Sequence, residues 1–209
     1  MYELDVAVAL AAMFDQLAIP YCVGGSFSSS IYGEVRATRD VDIIAGIEGH
    51  HVPSLHAAMA ASFFIQIEDI LDAVLRAPTL QETPRERATF SLLHRTTFFK
   101  ADIFVSSGRP FDQSQFQRRV AIEIAPGEPI AVASAEDTIL AKLEWYRIGN
   151  EISDRQWRDL RAVLTVQTAT LDYAYLRTWA TRLGVRDLLD RAMSDQPPPE
   201  ATPTQQSLL

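Results

Sequence analysis

The run Tyr21-Cys22-Val23-Gly24-Gly25-Ser26-Phe27, followed by Arg36-Ala37-Thr38-Arg39-Asp40-Val41-Asp42-Ile43, organises the reading of this chain. Tyr21–Val23 is a short apolar segment ending in two glycines, which predicts a buried strand and a turn. Ser26–Tyr32 follows with Phe27 and Ile31 four apart on one helical face, and Gly33 is placed to close that helix. A helix that begins at a Gly-Gly turn directs free backbone N–H groups and its positive dipole end into the space beside the strand. That space suits phosphate oxygens, and the Ser26 hydroxyl adds a donor. Taken alone, Gly24-Gly25 also reads as a tight turn and nothing more.

Asp40-Val41-Asp42-Ile43-Ile44 predicts a second strand. Side chains alternate along a strand, so Asp40 and Asp42 share one face and Val41 and Ile43 the other. Two carboxylates about 7 Å apart on one face repel. A solvated strand tolerates that repulsion, and so does a bound cation. Magnesium takes oxygen ligands and commonly binds through one or two carboxylates plus substrate phosphates. A third acid, Asp102, lies in the apolar run Thr97–Val105 and needs a partner to offset its desolvation. Either it joins Asp40 and Asp42, or it pairs with Lys100 on the same strand face.

These residues carry a resemblance. Gly-Gly-Ser, then Asp-Val-Asp, then an acid on a later strand is similar to the nucleotidyltransferase superfamily of the DNA polymerase β type. Arg36-x-Thr38-x-Asp40-x-Asp42 resembles the abortive-infection type nucleotidyltransferases and related toxin-like proteins. The likeness continues through Glu136–Lys142 and Arg155-Gln156-Trp157-Arg158-Asp159-Leu160, so it spans roughly residues 20–165. It implies an α+β fold with a mixed sheet flanked by helices. It also implies roles. Gly24, Gly25 and Ser26 would hold the β- and γ-phosphates of a nucleoside triphosphate, ATP included. Asp40 and Asp42 would ligate magnesium. Asp102 would bind a second metal and help draw the proton from an attacking hydroxyl. The acceptor would be an RNA 3′ end, a protein side chain or a small molecule. A toxin role opposed by an antitoxin protein is a further implication. Two other readings stand beside it: a non-catalytic binding module that keeps the fold, and adenylylation of an aminoglycoside-type antibiotic.

Residues around the motif carry two readings each. Arg36 either neutralises the triphosphate or offsets the acids, while Arg39 reads as structural and Thr38 as a turn residue. Lys142 is one of two lysines among 19 basic residues, and either reaches a phosphate or sits solvated on its helix. Ser134-Ala135-Glu136-Asp137 has capping-box spacing, so Glu136 and Asp137 read as capping and dipole compensation. His50, His51 and His56 lack cysteine partners and match no metal spacing. Cys22, a lone thiol in an apolar strand, reads as core filler.

Composition bounds the remaining classes. The chain has 209 residues, one cysteine and a formal net charge of −8, which excludes an intrachain disulfide framework and weighs against extensive nucleic-acid contact. Arg118-Arg119 is the local exception. Acids near Met1 and the lack of a long apolar run predict a cytoplasmic protein that does not enter membranes.

The periodicities predict strand, helix and strand up to about residue 46, helices at 53–62 and 69–77, and a strand at 64–67. Paired strands at 88–94 and 97–105 follow, then a hairpin of 120–124 with 129–132 across Gly127. Helices are expected at 135–148, 154–167, 172–182 and 184–192. The division predicted is a catalytic domain at 1–133, a helical subdomain at 134–193 and a disordered tail at 194–209.

Overall fold

The protein is described by a computed structural model over residues 2–38, 40–81 and 86–194. Arg39 and the predicted tail beyond residue 194 lie outside the described residues.

A seven-stranded mixed sheet forms the centre, in the order β3-β4-β5-β2-β1-β7-β6. Its strands are β1 (Tyr21–Val23), β2 (Asp40–Ala45), β3 (Phe63–Phe64), β4 (Ala88–His94), β5 (Lys100–Val105), β6 (Val120–Ala125) and β7 (Glu128–Val132). β2 runs parallel to β5, and β1 parallel to β7, while the remaining pairs are antiparallel. This is the mixed α+β arrangement the sequence predicts.

One sheet face is apolar. Val41, Ile43 and Ala45 of β2 and Ala101, Ile103 and Val105 of β5 alternate into a core with Leu10 and Phe14 of α1 (Tyr2–Gln16) and with Leu55 and Met59 of α3 (Val52–Ala60). The alternation that buries these residues turns Asp40, Asp42 and Asp102 to the other face. α2 (Gly25–Tyr32), α6 (Ala135–Ile148) and α7 (Asp154–Val166) pack against one another beside that face. A second buried cluster joins Phe111 to the helices that end the described chain: Leu140 and Leu143 of α6, Leu160 and Val163 of α7, Leu176 of α8 (Tyr173–Arg182) and Leu188 of α9 (Arg186–Ser194).

The caps follow sequence logic. Ser134 Oγ accepts from Asp137 N at 3.1 Å at the start of α6, and Asp172 accepts from Tyr175 N at 2.9 Å at the start of α8. Glu136 and Asp137 do more than cap. Asp137 is fully buried and accepts from Tyr175 Oη at 2.6 Å, and Glu136 accepts from the Asp172 backbone N–H and from Arg118. They tie α6 to α8. Burial pushes the Asp137 carboxyl above its ordinary value.

Two expected strands are corrected, and one helix was not foreseen. Ile67 opens helix α4 (Ile67–Arg76), so the strand before it is only Phe63–Phe64. The strand expected over 97–105 begins at Lys100. Pro110–Arg118 forms a helix, α5, that the polar run Asp112-Gln113-Ser114-Gln115 hides from periodicity; Pro110 suits its first turn. Arg118, offered as part of a nucleic-acid patch, stacks 3.9 Å from the Tyr175 ring centroid and binds Glu136, while Arg119 donates to the Phe116 carbonyl. Cys22 is buried, as a core filler should be. Among the described residues no helix is long and apolar enough to cross a membrane.

Candidate active site

The parallel pairing of β2 with β5 sets Asp42 beside Asp102 and Asp40 beside Lys100. In-register neighbours project to the same side, so three carboxylates and one ammonium share one face of the sheet. Asp42 feels the crowding. Burial, then the charges of Asp40 and Asp102, push its carboxyl from 3.8 to about 6, against a smaller opposing pull from Lys142 and Lys100.

Asp102 fulfils both of its open readings. It lies beside the other acids and is also ion-paired: Lys100 Nζ donates to Oδ2 at 2.8 Å and Ser91 Oγ donates to Oδ1 at 2.5 Å. Each carboxylate oxygen therefore holds one partner and keeps a free lone pair. Among the described residues no three histidine, cysteine or acidic side chains are grouped to hold a metal ion. Asp40 and Asp42 together suit one cation whose remaining ligands come from water or substrate oxygens. Asp102, which the sequence expectation gave to a second metal, is here held by Lys100 and Ser91.

The glycine turn abuts these acids. Gly25 adopts φ +58°, and a Cβ there would come 1.8 Å from Asp42 Oδ2, whereas a Cβ on Gly24 would meet nothing within 4 Å. Gly24 N donates to the Asp42 carbonyl at 2.8 Å, which holds the turn against β2. α2 starts at Gly25, and its first intrahelical bond runs from Ser28 N to Gly24 O. The N–H groups of Gly25, Ser26 and Phe27 thus have no partner one turn back, as at every helix start. They form a notch of free backbone donors beside the acids, a geometry that suits an anion.

A basic cluster lines the notch. Ser26 Oγ accepts from Arg36 Nη2 at 2.6 Å and from Arg155 Nη2 at 3.1 Å. Asp159 of α7 receives Arg36 at 2.9 Å and Lys142 Nζ at 2.8 Å. Burial alone would raise the Asp159 carboxyl, but these two cations hold it below its ordinary value. Burial lowers Lys142, and Asp159 restores part of the loss. Lys142 is therefore neither solvated nor free, and Arg36 reaches Ser26 and Asp159.

A cleft of about 430 Å³ runs along this face. Gly24, Ser26, Asp40 and Asp42 line it together with Lys142, Arg155, Gln156 and Asp159. Trp145 and Phe104 also line it, with ring centroids 5.7 Å apart. Glu144 there binds Arg109 at 2.7 Å and Arg87 at 2.8 Å, and Asp112 binds Arg109 at 3.0 Å.

The sequence reading gave no role to Asp159 or Arg155. Their i, i+4 spacing sets them on one helix face, which was legible; their partners Arg36 and Ser26, more than 120 residues away, were not. In the Arg87–Glu144–Arg109–Asp112 cluster, Arg109 and Asp112 lie three apart, but Arg87 and Glu144 join them from distant parts of the chain.

No protein-family model matches the chain, and no curated protein matches it. Solved structures do. The solution structure of the antibiotic-resistance factor ANT(2″)-Ia is 13% identical, with a TM-score of 0.53 over 93% of this chain and 98% of that one. A crystal structure of ANT(2″)-Ia in complex with adenylyl-2″-tobramycin is 12% identical, with a TM-score of 0.54 over 90% and 99%. An antigenic nucleotidyltransferase-like protein from Paracoccidioides brasiliensis is 18% identical over 92% of each chain, with a TM-score of 0.49. At such identities the first two likenesses speak for the fold alone: the chain shares the overall fold of ANT(2″)-Ia.

Proposed function

We propose that the chain is a nucleotidyltransferase that moves a nucleoside monophosphate from a triphosphate to a hydroxyl acceptor. The observation that carries this reading is the contact of Gly25 with Asp42: a notch of backbone donors touches a carboxylate whose own neighbours are acids. A phosphate chain and a cation that bind each other would find adjoining places there. Phosphate oxygens would lie at the N–H groups of Gly25 and Ser26, with Arg36, Arg155 and Lys142 supplying positive charge. Asp40 and Asp42 would hold a magnesium ion, which would neutralise charge on the phosphates. The acceptor oxygen would attack the α-phosphorus in line as the α–β bridging bond breaks and pyrophosphate leaves. Asp102, whose oxygens each keep a lone pair beside the hydrogen bonds from Ser91 and Lys100, would draw the acceptor's proton. Little covalent work falls to the protein, so alignment and charge balance carry the rate.

Residues 1–133 would then supply the catalytic half and 134–193 the rest of the cleft lining. The acceptor would be an RNA 3′ end, a protein side chain or a small molecule. Glu144 and Asp112 of the cleft are matched by Arg87 and Arg109, and Glu86 lines it as well. A role as a toxin held by an antitoxin rests on the motif's resemblance to the abortive-infection type.

Incubation with each α-labelled triphosphate, magnesium and a panel of RNA, protein and aminoglycoside acceptors tests the proposal. Label transfer that disappears in Asp42→Asn supports it. Nucleotide binding without transfer across the panel would favour the non-catalytic module.

A further inference from the structure

Asp102 meets its two partners from fixed strand positions. Ser91 is its register partner on β4. Lys100 lies two residues earlier on β5, facing the same way, and its own register partner is Asp40. The Lys100 ammonium, 2.8 Å from Asp102 Oδ2, thus sits within the row of acids as a tethered positive charge. Three carboxylates and one ammonium sum to −2, which one divalent ion balances. A second divalent ion on Asp102 would have to displace Lys100 from Oδ2 or bind with that ammonium of like sign close by, and on Oδ1 it would also compete with Ser91.

We infer that Lys100 takes the place of a second cation: its ammonium neutralises Asp102, and a single divalent ion binds at Asp40 and Asp42. This rests on the reading of Asp40 and Asp42 as cation ligands given above. Lys100 is a charge-balancing residue, and its half-exposed side chain makes substitution compatible with folding. Removing the ammonium while keeping its aliphatic stem, as in Lys100→Met, would open Asp102 to a second ion.

The test counts ions without reference to catalysis. Mn2+ is titrated into the full chain in the absence of nucleotide, and free Mn2+ is read by electron paramagnetic resonance. Wild type should bind one ion, Asp42→Asn none, Asp102→Asn one, Lys100→Arg one and Lys100→Met two. Two ions or none in wild type would overturn the inference, as would loss of the ion in Asp102→Asn or a folded Lys100→Met that still binds one. Should Lys100→Met fail to fold, the wild-type and Asp102→Asn counts decide. A chain that binds one ion yet transfers no nucleotide keeps this inference and loses the enzyme proposal. Transfer by a chain that binds two ions does the reverse.

Discussion

Asp42 fills the space that a side chain on Gly25 would need. A Cβ at Gly25 would lie 1.8 Å from Asp42 Oδ2, on a backbone at φ +58° that L residues rarely adopt. Gly25→Ala therefore meets two obstacles, a left-handed backbone costing about 1–2 kcal/mol and a collision only movement of the carboxylate relieves. Loss of nucleotidyl transfer and a fall of about 2 kcal/mol or more in unfolding free energy are expected, read by label transfer and urea denaturation. Gly24→Ala, with open space around it, should lose much less stability.

Asp42 should set function against stability. Its carboxyl stands at about 6 in the fold against an ordinary 3.8. Between these values the folded chain holds a proton that the unfolded chain has released, so the metal-free protein loses stability as pH rises through about 6. The loss is on the order of 3 kcal/mol. Asp42→Asn removes that slope. It should melt several degrees higher than wild type at pH 8 and close to it at pH 4, while inactive. A variant melting below wild type at pH 8 would contradict the assignment. Magnesium should raise the wild-type melting temperature above pH 6 and leave that of the variant unchanged.

Asp159 is the shared anion of Arg36 and Lys142. Asp159→Asn leaves Lys142, 7% exposed, with its ammonium short of a counter-charge, a change that commonly costs about 3–5 kcal/mol. Denaturation should show a loss in that range, and less if Lys142 deprotonates. Triphosphate affinity should fall as well, because Arg36 is held at Ser26 by the same carboxylate.

Tyr175→Phe tests the tie between α6 and α8. Its hydroxyl donates to the fully buried Asp137 at 2.6 Å. A loss of about 1.5–3 kcal/mol is expected, with magnesium binding unchanged because the pair lies outside the acid row.

Much of the cleft was legible before the fold. Alternation along Asp40–Ile44 puts two acids on one face whatever the surroundings, and Gly24-Gly25 announces a turn that opens a helix. The partner of Asp102 was framed as a choice between the acids and Lys100, and the register of β5 grants both. Lys142 was legible as a basic residue on a helix after the sheet, but not its burial against Asp159. The α5 helix escaped because its middle is polar and its fold depends on Phe111 and Phe116 finding separate cores.

Local sequence settled what depends on neighbours along the chain: strand faces, helix starts and the conformational freedom of Gly25. These follow from backbone sterics and side-chain periodicity, which act over a few residues. Which strands lie side by side, and in what register, came only with the folded chain. The pairing of β2 with β5 spans some sixty residues, and the Arg36–Asp159 bond spans 123. Such contacts are fixed by burying the shared core and closing long loops together, and no short window of sequence encodes that balance.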